Sequence, residues 1–363
     1  MAKREWLTVI PYLVFFLFSG VPALFHSKYP SRVLWAMVWL VFVLFIGFRH
    51  EVGGDWVGYL LITERIAELS FKDALFDQEL LFSLLTWAST RLGLGVYGAN
   101  LVGAVVFCAG LFSFCGRLPN RWLALTAATP FLVIVAVMSA NRQGMAIGVV
   151  LFLMSRWQNL GLLKRSVGVV LAGMFHTSAL LLLTLSVADL RISRARRFIL
   201  MMVTGALGLW MISRSEEAWY RYTTVYVQQS AGAYSPGAIF HLLLNLVPSA
   251  LMLWSRRRWE RLPNWPLLQQ LCWMAIALLL LSPFFTVAVG RMSLYLFPVS
   301  IVFFAYLPSF IATASGRALV RTVIVFCMAS VLAIWLTFAN TAHTYRPYQS
   351  ALLLDAWELE LPR

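Results

Sequence analysis

Charged residues are scarce in this sequence. Only 12% of its 363 residues are Asp, Glu, Lys or Arg, whereas 61% are hydrophobic, and the mean hydropathy is +0.78. A soluble globular domain cannot bury that much apolar surface, so this class is excluded. The alternating segments of about ten residues that a membrane β-barrel requires are also missing. The composition therefore predicts an all-α protein, a polytopic transmembrane helical bundle.

Cysteines and metal-binding motifs are also rare. The chain has no DxD motif and no H-E-x-x-H motif. Its four cysteines all fall within apolar stretches at no metal-ligand spacing, which favours buried small side chains over disulfides or zinc: Cys108, Cys115, Cys272 and Cys327. We therefore expect neither a metal ion nor a cofactor.

Apolar runs long enough to cross a bilayer recur along the chain. A hydrocarbon core of about 30 Å takes about 20 helical residues. The sequence predicts about eleven spans, of which the clear ones lie near residues 7–25, 33–48, 97–115, 122–138, 143–157, 198–213, 238–255, 266–289, 292–312 and 318–339.

Two regions decide the topology. The region from Glu79 to Gly95 could span the membrane or lie on its surface as an amphipathic helix. In the region from Ser166 to Asp189, Gly173 and His176 interrupt an apolar run. We interpret the first as non-spanning and the second as a re-entrant hairpin of half-helices, which returns to its starting side.

The basic residues support this interpretation. With the N-terminus outside, six basic loops face the cytoplasm, as the positive-inside rule requires. They contain 17 of the 29 basic residues but only two of the 15 acidic ones. We expect one transmembrane domain over residues 1–363, with outer-face segments at 49–96, 214–237 and 340–363.

The first polar cluster follows the second span directly. It places Arg49, Asp55 and Tyr59 around the pair Gly53 and Gly54. Two glycines allow unusual backbone dihedrals and the close approach of a ligand. The alternative is an interfacial turn with a snorkelling arginine and an aromatic anchor.

Four more polar clusters lie between or after apolar runs. They are Asn141, Arg142 and Gln143; His176 at the apex of the hairpin; Arg291 with Tyr295 one helical turn later; and Tyr345 with Tyr348 in the tail. A simple external turn would also explain the Arg142 cluster, and a packing role would also explain His176.

Three arginines fall on the outer side by the charge argument: Arg49, Arg142 and Arg291. A cation at membrane depth costs several kcal/mol unless an anion compensates it. The guanidinium group binds phosphate through two parallel hydrogen bonds and stays protonated. The set therefore predicts a site for a lipid diphosphate at the outer interface.

In this order, the motifs resemble the EpsG family of Wzy-like exopolysaccharide and O-antigen polymerases. The resemblance covers Arg49 to about Tyr348. The residues that carry it are Arg49, Gly53, Asp55 and Tyr59 in the pattern R-x-x-x-G-x-D-x-x-x-Y; Glu79, which opens an amphipathic helix; Arg142 and Gln143, followed by Ala146; His176 with Ser178; and Arg291 with Tyr295.

The resemblance implies a glycosyltransferase with a GT-C-like architecture in the bacterial cytoplasmic membrane. It would join repeat units carried on undecaprenyl diphosphate at the periplasmic face. Its partners would be these lipid-linked oligosaccharides, membrane lipids and, as a candidate, a chain-length regulator, with no role for nucleic acid.

The residues fit this chemistry. Arg142 and Arg291 would stabilise the departing diphosphate, and Asp55, or else His176, would accept the proton of the attacking hydroxyl. Substrate-binding roles fall to Arg49, Tyr59, Glu79, Asn141, Gln143, Tyr295, Tyr345 and Tyr348.

Three alternatives stay open, one of which is an integral acyltransferase, although His176 has no acidic partner near it in the sequence. An O-antigen ligase-type glycosyltransferase uses similar groups, although we would expect a larger external loop than the roughly thirty residues available here. A lipid-linked glycan transporter or flippase often shows internal repeats and polar residues in both leaflets. This sequence shows no repeat, and its polar residues concentrate on one side.

Overall fold

The computed structural model describes residues 2–25, 31–214, 220, 224, 236–262 and 264–354. These residues form 16 α-helices: α1 Ala2–Leu24, α2 Arg32–Gly47, α3 Trp56–Glu68, α4 Phe71–Ala74, α5 Leu80–Arg91, α6 Gly95–Cys115, α7 Arg121–Ala128, α8 Asn141–Ser155, α9 Leu162–Gly173, α10 Arg194–Ser213, α11 Pro236–Trp254, α12 Arg256–Trp259, α13 Trp265–Leu281, α14 Thr286–Ser293, α15 Phe297–Tyr306 and α16 Ala314–Phe338. Most of the expected outer-face segment 214–237, and the end of the segment 340–363, lie outside the described residues.

The helices confirm an all-α membrane protein. Within the described ranges, four helical segments are both long and apolar enough to cross a bilayer: Gly95–Cys115, Ala195–Ser213, Thr286–Phe310 and Ala314–Phe338. Six shorter apolar helices accompany them. The number of spans and the GT-C-like architecture stay predictions.

The chain folds into two compact units. The first comprises residues 1–148 and 304–363, and the second comprises residues 149–303. In the first unit α1 packs against α7 and α16, α2 packs against α6, and α5 packs against both α3 and α6. Strands β1 (Arg49–His50) and β2 (Gln349–Ser350) pair in antiparallel fashion in the same unit.

Helices α6 and α8 approach each other closely through small residues. A Cβ atom on Gly103 would overlap the side chain of Asn141, and one on Gly110 would overlap the backbone of Gly148. Gly110 follows Gly103 by seven residues on α6, and Gly148 follows Asn141 by seven residues on α8, so the two helices run parallel. Small residues at such contacts let membrane helices pack by close van der Waals contact.

The segment between α7 and α8 departs from regular helix. Residues Thr129–Val137 form a π-helix, with Pro130 at its start and a hydrogen bond from Met138 N to Val133 O at 3.3 Å. Proline lacks the N–H that an α-helical bond would need. Long π-helical stretches are rare and often occur at functional sites. This one ends in the turn that leads into α8.

The second unit contains the expected break near His176. Helix α9 ends at Gly173, and a 3₁₀-helix follows from Thr177 to Val187 and packs against α9. At the open end of this hairpin, which is the end opposite His176, Arg165 binds both carboxylate oxygens of Asp189. It also donates to Trp157 O at 2.8 Å. The chain therefore returns to its starting end, as a hairpin requires.

One predicted boundary is wrong. The sequence suggested spans at 266–289 and 292–312 with a turn near Gly290, but α13 ends at Leu281 and the next helix begins at Thr286. Pro283 lies in the break, where it cannot donate a helical hydrogen bond and disfavours helix at the residue before it. Arg291 consequently lies within a helical segment instead of in a turn between two spans.

We predict that the ion pair at the open end of the hairpin stabilises the fold. Asp189→Asn would leave the charge of Arg165, whose side chain is 7% exposed, without its counter-ion. We expect a loss of about 3 kcal/mol, the lower end of the range for broken buried pairs, because Asp189 is 25% exposed. The melting temperature of the detergent-purified protein measures this effect.

The matched control is Glu260→Gln. It removes one carboxylate from the exposed pair that Glu260 forms with Arg256 at 3.3 Å, and exposed pairs contribute less than about 1 kcal/mol. Equal melting temperatures for the two variants would contradict the prediction.

Candidate functional site

Arg142 lies in the first turn of α8 and has an acidic partner. Its Nη1 donates to Glu79 Oε2 at 2.9 Å and to Gln78 Oε1. The guanidinium carbon lies 5.5 Å from the ring centroid of Phe82, close enough for a cation–π contact. The side chains of Arg142 and Glu79 are only 15% and 6% exposed. The pair is therefore well shielded from solvent.

The start of α5 orients the two acceptors. Glu79 occupies the position immediately before the helix, where the sequence predicted that an acidic residue opens it. Gln78 donates its amide nitrogen to Asp77 O at 2.7 Å, and its backbone N–H donates to Ser83 Oγ at 2.9 Å. With the amide nitrogen committed to Asp77, the amide oxygen of Gln78 faces Arg142.

Tyr59 joins this cluster from α3. Its hydroxyl oxygen accepts a hydrogen bond from the backbone N–H of Arg142 at 3.3 Å. Asp55 directly precedes α3, and its carbonyl accepts from Tyr59 N at 3.0 Å, one helical turn later. Asp55 thus lies one helical turn before Tyr59, the residue that contacts Arg142.

Gly53 fixes the loop that holds Asp55. Its φ of +103° is a conformation that side chains disfavour, and a Cβ atom would overlap Met138 O. Its N–H donates to Thr344 O at 2.9 Å. The glycine pair predicts the close approach of a ligand. In the structure, Gly53 closely approaches the protein's own turn before α8.

Arg49 and Asn141 meet through Asn100. Asn100 Oδ1 accepts from Arg49 Nη2 at 3.2 Å and from Asn141 Nδ2 at 2.9 Å. Arg49 also donates to Ile46 O at 2.7 Å and is 1% exposed. Burial lowers the pKa of Arg49 to about 10, which leaves the group protonated at neutral pH. Arg49 is therefore a buried cation hydrogen-bonded to neutral acceptors.

The tail residues Tyr345 and Tyr348 are anchored in the first unit. Tyr345 donates to Val135 O at 2.6 Å and accepts at its carbonyl from the hydroxyl of Tyr12 at 2.6 Å. Tyr348 donates to Phe45 O at 2.9 Å and stacks on the Phe45 ring at 4.1 Å. Together with the β1–β2 pair, these contacts hold the tail against the segment that contains Arg49.

The second unit gathers the other candidates. His176 is 5% exposed and immediately precedes the 3₁₀-helix, and two residues later Ser178 shares a hydrogen bond of 2.9 Å with Tyr295. Helix α14, which carries Arg291, packs against α11, and Arg291 interacts electrostatically with His241 of α11.

The structure thus assembles the candidates in groups. The first unit brings Arg142, Glu79 and Tyr59 together, and joins Arg49 to Asn141. In the second unit, a hydrogen bond joins Tyr295 to Ser178 of the 3₁₀-helix that begins after His176. Gln143 is buried directly after Arg142, at 1% exposure. Among the described residues, no group of three or more His, Cys, Asp or Glu side chains could hold a metal ion.

Three residues of these groups are not among the candidates predicted from the sequence: Gln78, Asn100 and His241. Gln78 could have been found as the polar neighbour of Glu79 at the start of a helix. Asn100 and His241 are single polar residues inside apolar runs, and polar residues at such positions are expensive unless they have partners. The cost of an isolated polar group in an apolar run, which points to the arginines and His176, therefore points to Asn100 and His241 as well.

Comparison with known proteins identifies the family. No curated protein and no solved structure matches the chain. The sequence profile of the EpsG family matches residues 32–350, which include every candidate residue described above. EpsG-like proteins are Wzy-type polymerases. The chain therefore belongs to the EpsG family.

Proposed function

We propose that this protein polymerises oligosaccharide repeat units carried on undecaprenyl diphosphate, at the periplasmic face of the bacterial cytoplasmic membrane. Membership of the EpsG family supports a Wzy-like repeat-unit polymerase in general. The observation that carries the finer proposal is the shielded cluster of Arg142, Glu79, Gln78 and Tyr59 beside the loop of Asp55.

In the proposed reaction the growing chain leaves its lipid carrier. The bond between its anomeric carbon and the diphosphate oxygen breaks, and a hydroxyl of the incoming unit forms the new glycosidic bond. Undecaprenyl diphosphate departs with the bonding electrons, and the proton of the hydroxyl passes to a base. No metal ion takes part in this proposal, because arginines supply the positive charge.

Arg142 is our candidate for stabilising the leaving group. Charge develops on the diphosphate as its bond to the sugar breaks, and a fixed cation in surroundings of low polarity stabilises such charge strongly. Arg142 is held by hydrogen bonds and by the Phe82 ring, so little reorganisation is needed. Arg291, in the second unit, is the second candidate for this role.

Asp55 is our first candidate for the base. Its carboxyl group is partly exposed at the start of α3, one helical turn before Tyr59, which contacts Arg142. His176 is the second candidate, and Arg49 would act as a positioning residue for the loop of Asp55.

We predict that Asp55→Asn abolishes polymer without changing the amount of protein. The amide has the shape of the carboxylate but cannot accept the proton at neutral pH. The glycan profile of a deletion host that expresses this variant should contain single repeat units and no ladder. Glu64→Gln, an exposed acid-to-amide change on α3, should leave the ladder intact. A normal ladder from Asp55→Asn would remove Asp55 as the base.

We predict that Arg142→Gln reduces polymerisation about 100- to 1,000-fold, the usual effect of losing one donor to a developing anion. This variant also leaves Glu79 buried without its partner, so its protein level should fall. The double variant Arg142→Gln with Glu79→Gln removes both charges and should recover the protein level but not the ladder.

The double variant separates chemistry from stability. Recovery of both protein and ladder would assign the arginine a structural role only. Arg117→Ala, which removes an exposed arginine elsewhere in the first unit, serves as the control for loss of positive charge. If gene deletion itself gives full-length lipid-linked chains, the protein is a ligase, and an unchanged profile points to transport.

A further inference from the structure

The end of α11 forms a basic concavity that the proposed reaction does not use. A cavity of about 660 Å³ is lined by Leu253, Trp254 and the three consecutive arginines Arg256, Arg257 and Arg258, together with Glu260. All three arginines are exposed, and the Trp254 side chain is 87% exposed. Polar and apolar groups therefore line the same opening.

The local fold keeps the three arginines of α12 exposed on the surface of the protein. Trp259, at the end of α12, is 1% exposed and stacks on Phe303 at a centroid distance of 5.6 Å. Its indole N–H donates to Ser255 Oγ at 3.0 Å. Because Trp259 is anchored in the core, the short helix turns its arginines towards the cavity and the surroundings of the protein.

The cavity has an excess of positive charge. Glu260 is the only acidic residue in its lining and lies 3.3 Å from Arg256. Within the described part of the chain, no salt bridge includes Arg257 or Arg258. The two guanidinium groups can therefore donate to an anion, and they match the geometry of a phosphate group.

We propose that this cavity binds the phosphodiester headgroup of an anionic membrane phospholipid. The cavity opens at the end of an apolar helix, where a headgroup would lie beside it. Trp254 has the amphipathic ring that prefers the membrane interface, and with Leu253 it offers an apolar surface to the start of an acyl chain. A free phosphate would use the arginines but not this apolar surface.

Lipid binding to the detergent-purified full-length protein tests the proposal. We expect native mass spectrometry to detect phosphatidylglycerol bound more tightly than phosphatidylcholine. Each arginine near an anionic lipid contributes about a 5.5-fold gain in affinity, so Arg257→Ala with Arg258→Ala should weaken phosphatidylglycerol binding about 30-fold.

The matched control is Arg191→Ala with Arg196→Ala. It removes two exposed arginines from another basic segment of the same unit, and we expect it to weaken binding less than about threefold. Equal weakening by the two double variants would overturn the proposal in favour of general attraction to basic surfaces. Displacement of the lipid by inorganic phosphate, or equal binding of phosphatidylcholine, would also overturn it.

Discussion

The ion pair between Arg142 and Glu79 is the constraint on which the first unit depends. A cation with 15% exposure and a carboxylate with 6% exposure would each cost several kcal/mol if the other were absent. Their pairing requires the start of α5 to lie against the start of α8, although the two residues are 63 positions apart in the chain. The short helices α3 and α5 meet this requirement, because together they bring Tyr59, Gln78 and Glu79 to Arg142.

The close packing of α6 against α8 also positions residues of the candidate site. Gly103 and Gly110 leave room for Asn141 and Gly148, so the two parallel helices can approach closely. The approach brings Asn100 within hydrogen-bond distance of Asn141 and Arg49. Buried polar groups are tolerated where they satisfy one another. The glycines therefore position the polar residues that make up this part of the candidate site.

Local backbone features of this fold could be predicted from the sequence, whereas contacts between side chains on distant helices could not. The break at His176, the helix that begins after Glu79 and the unusual backbone of Gly53 each depend on neighbouring residues, and these predictions are confirmed. The partnership of Glu79 with Arg142 depends on packing between distant helices, which spacing along the chain does not encode. The predicted boundary near Gly290 is wrong because a solitary arginine does not end a helix, whereas Pro283 does.

The two arginines of the first unit contribute differently to its electrostatics. The charge of Arg142 is balanced by Glu79, whose carboxylate accepts from Nη1 at 2.9 Å. The hydrogen-bond acceptors of Arg49 are neutral. Burial lowers its pKa, and the hydroxyls of four tyrosines oppose this effect only in part: Tyr59, Tyr345, Tyr348 and Tyr12. Its positive charge is therefore not cancelled locally, and the field of a charge extends farther where the dielectric is low. Under the proposed function, Arg49 would attract an anionic carrier without touching it, whereas Arg142 would act on a group that reaches its donors.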